Sequence, residues 1–521
     1  MSEISRRNLL KSATAAGVGL TVAEQLAPSE ASAHPAKASH APTPASAPPI
    51  TGIHLQFGQD PASTMVVTWQ TYGAVDNPRV EFAPADGRRR FRPVPAETRT
   101  YTDPKEPDEP VYVHSATLSG LQPNTAYVYT VLQEGADVEV GDFTTAPRGR
   151  APFTFTSYGD QGTPTMTAPT NLPAPAPAFK NDNLGSPAAG DVTAGVEKIA
   201  PLFHLVNGDL CYANLSSVPV RTWSDWFASN SRSARYRAWM PTAGNHENEA
   251  LGTTGFEPYQ TYFSLPDNGQ PDRFQGLWYA FRVGSVKVIA INNDDVCYQD
   301  AGSSYVHGYS GGAQQRWLEN ELAKARADRS IDWVVICMHQ VAMSTAKGFN
   351  GADLGIRQSW MPLFDKYGVD LVVAGHEHHY ERTQPVRGTN GSTLLTPQPV
   401  SGAQSSVIDT TQGTVHMIIG GGGTSAPSNA LLTDPPVCQV LTSVGPGRTN
   451  GKLTANYSQE DATWASVRDK DFAYGFAAFS VDPGDRPGGQ TSIAVTYYRV
   501  KGFGGELEAY DAFKLVRPRR D

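Results

Sequence analysis

Asp370-Leu371-Val372-Val373-Ala374-Gly375-His376-Glu377-His378-His379-Tyr380-Glu381-Arg382 contains both a fold signal and a chemical one. Asp370 to Ala374 is a short apolar run of strand length, closed by a glycine, and reads as a buried strand. Upstream, Ile356 to Tyr367 repeats apolar residues at helical period, and Gly368 suits the C′ position that ends a helix. The same alternation occurs earlier. Val286 to Ile291 reads as a strand, Gln314 to Ala327 as an amphipathic helix carrying Trp317, Leu318 and Leu322, and Asp332 to Met338 as the next strand. Repeated strand-helix-strand units predict an α/β domain with parallel strands at its centre.

Five polar motifs each follow a predicted strand or short apolar run. Gly159-Asp160-Gln161-Gly162 follows Phe153 to Thr156, and Gly208-Asp209-Leu210-Cys211-Tyr212-Ala213-Asn214 follows Leu202 to Val206. Gly244-Asn245-His246-Glu247 follows Trp239 to Ala243, His339 ends the 332–338 strand, and Gly375-His376-Glu377-His378-His379-Tyr380-Glu381-Arg382 ends the 370–374 strand. Ligands of open α/β sheets gather outside the carboxyl ends of the strands, so the five motifs are expected to converge on one site. A lone Gly-Asp is usually a turn and a lone histidine usually a core residue. Here four of the chain's 12 histidines fall in the last two motifs, which favours a shared chemical role.

The residue types divide into two metal-ligand sets. Asp160, Asp209, Tyr212 and His378 offer three anionic oxygens and one imidazole, a hard set suited to a trivalent cation such as Fe(III). Asn245, His339 and His376 are neutral ligands for a divalent Fe, Zn or Mn, with Asp209 as the bridging carboxylate. Two-metal hydrolytic sites hold their ions about 3.5–4 Å apart, a separation one carboxylate spans.

In content and order these motifs resemble the purple acid phosphatases of the calcineurin-like metallophosphoesterase family: Gly-Asp-x-Gly, Gly-Asp-x-x-Tyr, Gly-Asn-His-Glu, a strand-ending histidine and Gly-His-x-His. Common metallophosphoesterases carry a histidine two residues after the first aspartate; this chain has Gly162 there and supplies Tyr212 instead, as the purple branch does. A phenol with a pKa near 10 loses its proton only to a strong Lewis acid, which again points to Fe(III). The resemblance spans nearly all of 50–521. It implies a β-sandwich flanked by helices over 148–521, preceded by a fibronectin type III-like domain, and hydrolysis of phosphate monoesters by a metal-activated hydroxide attacking in line. It also implies that His246 donates to the phosphoryl oxygen or the leaving group, with Glu247, His379 and Arg382 as outer-sphere positions. Plant members carry further histidines in the loop after the fourth motif. Val341 to Trp360 contains none, so leaving-group protonation is expected to fall to His246, His379 or water. Gly420 to Gly423 lacks a following Lys-Ser/Thr and reads as a tight turn beside the site rather than a phosphate loop.

The remaining segments frame this domain. Met65 to Trp69 and Ala126 to Val131 are β-branched and aromatic runs between turn residues; Trp69 and the Leu121–Tyr127 segment look like the buried tryptophan and tyrosine corner of a fibronectin-like all-β sandwich, placed at 50–147. Residues 34–49, rich in Pro, Ala and Ser, are expected to form a flexible linker, and Thr163 to Ala178 a surface insertion. Ser5-Arg6-Arg7-Asn8-Leu9-Leu10-Lys11, the apolar Ser12 to Ala23 and the triplet Ala31-Ser32-Ala33 resemble a twin-arginine signal peptide over 1–33, implying use of that export machinery and a secreted or cell-envelope location. Four scattered cysteines exclude a disulfide framework but leave room for one or two bridges. A net charge of −9 without basic runs argues against nucleic acid as a partner, and no apolar run is long enough to span a bilayer, so small phosphate esters are the expected partners. Two alternatives remain open: a phosphodiesterase or phospholipid-cleaving enzyme on the same site, or a binding module with an inactive α/β domain. The intact seven-ligand set opposes the second.

Overall fold

Val111–Ser119 and Ala126–Leu132 alternate buried and more exposed residues, the pattern of strands with one face on a core. The second joins a four-stranded sheet in the order Arg92–Pro95, Arg79–Pro84, Ala126–Leu132, Glu139–Thr144. The first lies in a facing layer with Thr51–Phe57, Thr64–Thr71 and Glu97–Tyr101. Trp69 is fully buried in this sandwich, and the backbone N–H of Gln122 donates to the Tyr127 hydroxyl at 2.8 Å, the corner bond expected from the sequence. The coordinates, a computed structural model, describe residues 47–520 except 88–89, 167–183, 250–254, 303, 401–405, 450–451 and 503. The predicted signal segment 1–33, linker residues 34–46 and most of the 163–178 insertion lie outside the described residues. Linker residues 47–48 are tethered: Ala47 N–H donates to Gly135 O and Gln133 Nε2 donates to Pro48 O.

Strands with continuous apolar runs are buried on both faces. Phe203–Asn207, Ala238–Thr242, Trp333–Cys337, Leu371–Ala374 and Val415–Ile419 are buried at every position. They divide between two packed layers. One runs Val407–Asp409, Glu506–Pro518, Gln490–Lys501, Gly475–Asp482, Phe153–Tyr158, Phe203–Asn207, Ala238–Thr242; the other runs Tyr279–Val283, Val286–Ala290, Trp333–Cys337, Leu371–Ala374, Val415–Ile419, Tyr380–Thr383, Ala465–Arg468. Phe203 links the layers, stacking on Phe155 within its own sheet at 5.1 Å and meeting Phe281 of the other edge-on at 5.5 Å. The α/β architecture preceded by an all-β sandwich is therefore as expected, and the helix Ala313–Ala327 connects the parallel pair Val286–Ala290 and Trp333–Cys337.

Two features depart from the sequence expectation. The predicted helix over 356–367 is two helices, Leu354–Ser359 and Met361–Tyr367, because Pro362 has no N–H to continue the first. Gly368 does cap the second, with φ 58°. The two sandwiches also share a sheet: Thr51–Phe57 pairs in parallel with Ala238–Thr242, Leu55 opposite Ala238, so the strand order continues from the α/β domain into the N-terminal one. That pairing covers what would otherwise be an apolar sheet edge. The four cysteines are all buried and unbridged, so the disulfides left open by the sequence are not formed.

Candidate metal centre

Each of the five motifs begins where a strand stops. Asp160 follows Phe153–Tyr158, Asp209 follows Phe203–Asn207, Asn245 follows Ala238–Thr242, His339 follows Trp333–Cys337, and His376 and His378 follow Leu371–Ala374. Four of these seven predicted ligands adopt left-handed backbone: Asp160 (φ 59°), Asp209 (φ 50°), Tyr212 (φ 60°) and His376 (φ 69°). That conformation costs a non-glycine residue roughly 1–2 kcal/mol, and its concentration here marks the turns that swing side chains from the strand ends into one space. The flanking glycines are needed for close approach. A Cβ on Gly375 would collide with the Asp160 carboxylate, and one on Gly244 with that of Asp209.

The ligand atoms form two groups that share Asp209: Asp160, Asp209 and His378 in one, Asp209, His339 and His376 in the other, the atoms of each within 4.8 Å of one another. Tyr212 joins the first, its hydroxyl 3.1 Å from His378 Nε2, while His378 Nε2 lies 3.3 Å from Asp160 Oδ1. Asn245 joins the second. His339 Nε2 is 3.0 Å from Asn245 Oδ1, 3.1 Å from His376 Nδ1 and 3.1 Å from Asp209 Oδ2. Such spacings match the edge of a coordination polyhedron with bonds of about 2.1 Å. The carbonyls of Asn207 and Ala426 engage the other nitrogens of His339 and His378, at 2.7 Å each, and so aim their Nε2 atoms inward.

Electrostatics favour a cation at both places. Burial opposes charge on His339, but the Asp209 carboxylate outweighs it and pushes the ring up to about 10. Burial would raise Asp209, yet His339 and His246 hold it well below the usual carboxylate range. Burial and then the Asp209 and Asp160 charges push the Tyr212 phenol far up, so a phenolate there needs a strong cation beside it. The donor set thus fits a hard trivalent ion on the tyrosine side and a divalent ion on the histidine side.

The outer positions divide. Glu247 accepts from the backbone N–H groups of Gly244 (2.7 Å), Asp209 (2.8 Å) and Leu210 (2.8 Å), locking the two loops that present Asp209 and Asn245. His246 lines the cleft in front of the ligands; its N–H donates to Asp209 Oδ1 at 2.9 Å. His379 points elsewhere. Fully buried, it sits 2.8 Å from Ser428 Oγ and 3.4 Å from Glu381 Oε2, so it does not line the cleft where a leaving group would be protonated. Arg382 is likewise committed, to Asp511 at 2.7 Å and over the Phe513 ring. Among the described residues neither side chain bonds to a predicted ligand: His379 shares one face with Glu381, and Arg382 shares the opposite face with Tyr380, whose hydroxyl also donates to Asp511. Gly420 to Gly423 does form a turn beside the site: Thr424 N–H donates to Asp160 O.

The sequence assigns no role to the other residues at the site. Asn214 Oδ1 lies 2.9 Å from His246 Nδ1, and Gln299 Oε1 lies 2.5 Å from His376 Nε2. Asp300, Phe349 and the hairpin Val437–Thr449/Lys452–Asp461 complete a cleft of about 200 Å³. Asn214 stood within a quoted motif, but only the turn after Tyr212 brings it under His246. The others come from segments with no local pattern.

Residues 50–145 match the purple acid phosphatase N-terminal domain and residues 189–380 the calcineurin-like phosphoesterase family. An uncharacterized protein of Mycobacterium tuberculosis is 53% identical over 99% of this chain and 96% of its own. The Fe(3+)-Zn(2+) purple acid phosphatase 12 of Arabidopsis thaliana is 24% identical over 73% of each chain. The fold is similar to that of a purple acid phosphatase from yellow lupin seeds, with a TM-score of 0.64 at 20% identity over 90% of this chain and 74% of the other. With two ligand groups meeting on Asp209 at the strand ends, this chain joins a purple acid phosphatase N-terminal domain to a calcineurin-like phosphoesterase domain with a candidate buried metal site.

Proposed function

We propose that this protein is a secreted acid phosphatase that hydrolyses phosphate monoesters at a binuclear centre, with Fe(III) on Asp160, Asp209, Tyr212 and His378 and a divalent Fe, Zn or Mn on Asp209, Asn245, His339 and His376. The observation that carries this reading is the sharing of Asp209 between two buried ligand groups, only one of which includes a phenol. The iron and zinc in the name of the Arabidopsis relative agree with it. Export rests on the twin-arginine-like segment at 5–11.

Bound there, two cations would supply Lewis acidity toward the phosphoryl oxygens and a nucleophilic water at low pH. The chain's own groups do the rest. Glu247 holds the loops of Asp209 and Asn245 at fixed separation through three N–H donors. With Nδ1 directed at Asn214, His246 presents Nε2 as the nitrogen that donates to a phosphoryl or leaving-group oxygen in the cleft. The neighbouring Tyr212 ring, 4.6 Å between centroids, limits how far the imidazole can swing.

Elemental analysis and the visible spectrum test this reading together. About two metal ions per chain, at least one of them iron, and a purple or pink tyrosinate band lost in Tyr212→Phe are expected. Active protein that is colourless and holds a single zinc would refute it. A phosphodiesterase is the second reading, favoured by the apolar side chains Leu441, Val444, Leu453 and Ala455 on the cleft wall, which suit the second arm of a diester. Turnover of bis-p-nitrophenyl phosphate above that of p-nitrophenyl phosphate would select it.

A further inference from the structure

We infer that the cleft selects esters bearing a single phosphate and an apolar, uncharged leaving group. The inference deepens the phosphoesterase reading and rests on it. The inner end of the cleft is polar, made by Asp209, Asn245, His246, His376 and His378. Its outer wall is the Val437–Thr449/Lys452–Asp461 ribbon, edged by the short strand Ala352–Asp353, in which Leu441 stands opposite Tyr457 and Val444 opposite Ala455. Opposed residues of an antiparallel pair share a face, as do alternate residues of one strand. Leu453, Ala455 and Tyr457 therefore form one apolar stripe, while the intervening Thr454 and Asn456 are exposed on the other face.

An apolar stripe on a solvent-facing ribbon is not explained by core packing: Tyr457 remains 39% exposed. Phe349 borders it on the adjoining segment, where Gly348 N–H donates to Gln439 Oε1 and the Tyr457 hydroxyl donates to Asn350 O, and its ring is edge-on to His378 with centroids 4.9 Å apart. An ester whose phosphate sits at the ligand groups would thus lay its leaving group against Phe349 and the ribbon.

Charge sharpens the choice. Asp300 also lines the cleft; one carboxylate oxygen accepts from Leu453 N–H at 2.6 Å, and the other is buried with no hydrogen-bond partner among the described residues. Among the described residues no lysine or arginine lines the cleft. A second phosphate or a carboxylate on the leaving group would face Asp300 with no compensating cation.

A homologous series of 4-alkylphenyl phosphates tests this, since leaving-group acidity stays nearly constant while methylenes are added. Each methylene is expected to raise kcat/KM about two- to fourfold until the ribbon is covered. 4-Carboxyphenyl phosphate and inorganic tripolyphosphate are expected to fall at least about tenfold below phenyl phosphate. Val444→Lys should flatten the alkyl series and raise tripolyphosphate hydrolysis. Calorimetric binding of the matching alkylphenylphosphonates to metal-loaded protein should show the same dependence on chain length without turnover. A flat affinity series, or equal binding of the carboxylate, overturns the inference. A rising affinity series without hydrolysis of any ester upholds it and overturns the phosphatase reading instead.

Discussion

The Nδ1 nitrogen of His246 lies 2.9 Å from Asn214 Oδ1, so a neutral amide orients the imidazole that faces the cleft. His246 coordinates nothing in the proposed site. His246→Ala is expected to keep its metal while losing about 10²–10⁴-fold in turnover, the scale of a positioned proton donor. The loss should be larger for alkyl phosphates than for p-nitrophenyl phosphate, because an alkoxide needs a proton to leave. Asn214→Asp places a negative charge against the ring, favours its protonated form and should move the alkaline limb of kcat to higher pH. Metal content and pH profiles on the two substrates check both; equal loss on both substrates would reassign His246 to phosphate binding.

Asp209 is common to both ligand groups. Asp209→Ala should therefore remove both metals and activity together, whereas His376→Ala should spare the iron. Parallel metal analysis of the two variants distinguishes a shared ligand from two independent sites, in which case Asp209→Ala would lose only one ion.

Acid should weaken the fold itself. Burial lowers His204 to about 3 and His54 to about 4. The same rings in the unfolded chain take up protons below about pH 6.5, so between there and about pH 4 the unfolded state binds more protons and stability falls as pH falls. His204 Nε2 is buried with no hydrogen-bond partner among the described residues, which makes His204→Leu a fitting probe. At matched metal content, that variant should lose up to about 1.4 kcal/mol per pH unit of the acid sensitivity. Urea unfolding at pH 7, 5.5 and 4.5 measures it; an unchanged slope would mean His204 titrates normally in the fold.

The N-terminal sandwich reaches the site through two side chains. Lys105 Nζ donates to the carbonyls of Ser216 (2.7 Å) and Asn214 (3.1 Å), and Glu106 accepts from Val220 N–H at 2.6 Å. Lys105→Ala should lower kcat several-fold with metal retained, by loosening the turn that carries Tyr212 and Asn214. Deleting residues 50–147 should yield insoluble protein, because Ala238–Thr242 would become a bare apolar edge. Soluble, active truncated protein would show that the shared sheet is dispensable.

The sequence by itself determined the local features: which runs are strands, where they end, and which residues at those ends can ligate metal. Strand periodicity, glycine punctuation and ligand chemistry are short-range properties, so Asp160, Asp209, Tyr212, Asn245, His339, His376 and His378 can be read from the sequence as candidate ligands at strand ends. Tertiary structure decided which residues meet. His376 N–H donates to Asp160 from 216 positions away, and His339 meets Asn245 across 94, separations no local pattern encodes. Only the fold turns His379 and Arg382 away from the site: three positions apart, they lie on opposite faces and are drawn to Ser428 and Glu381 on one side and to Asp511 on the other. It alone brings Asn214 to His246 and the apolar ribbon to the mouth of the cleft. It also joins the two sandwiches through Leu55 and Ala238, because an apolar strand edge is satisfied by whichever chain segment lies beside it in space.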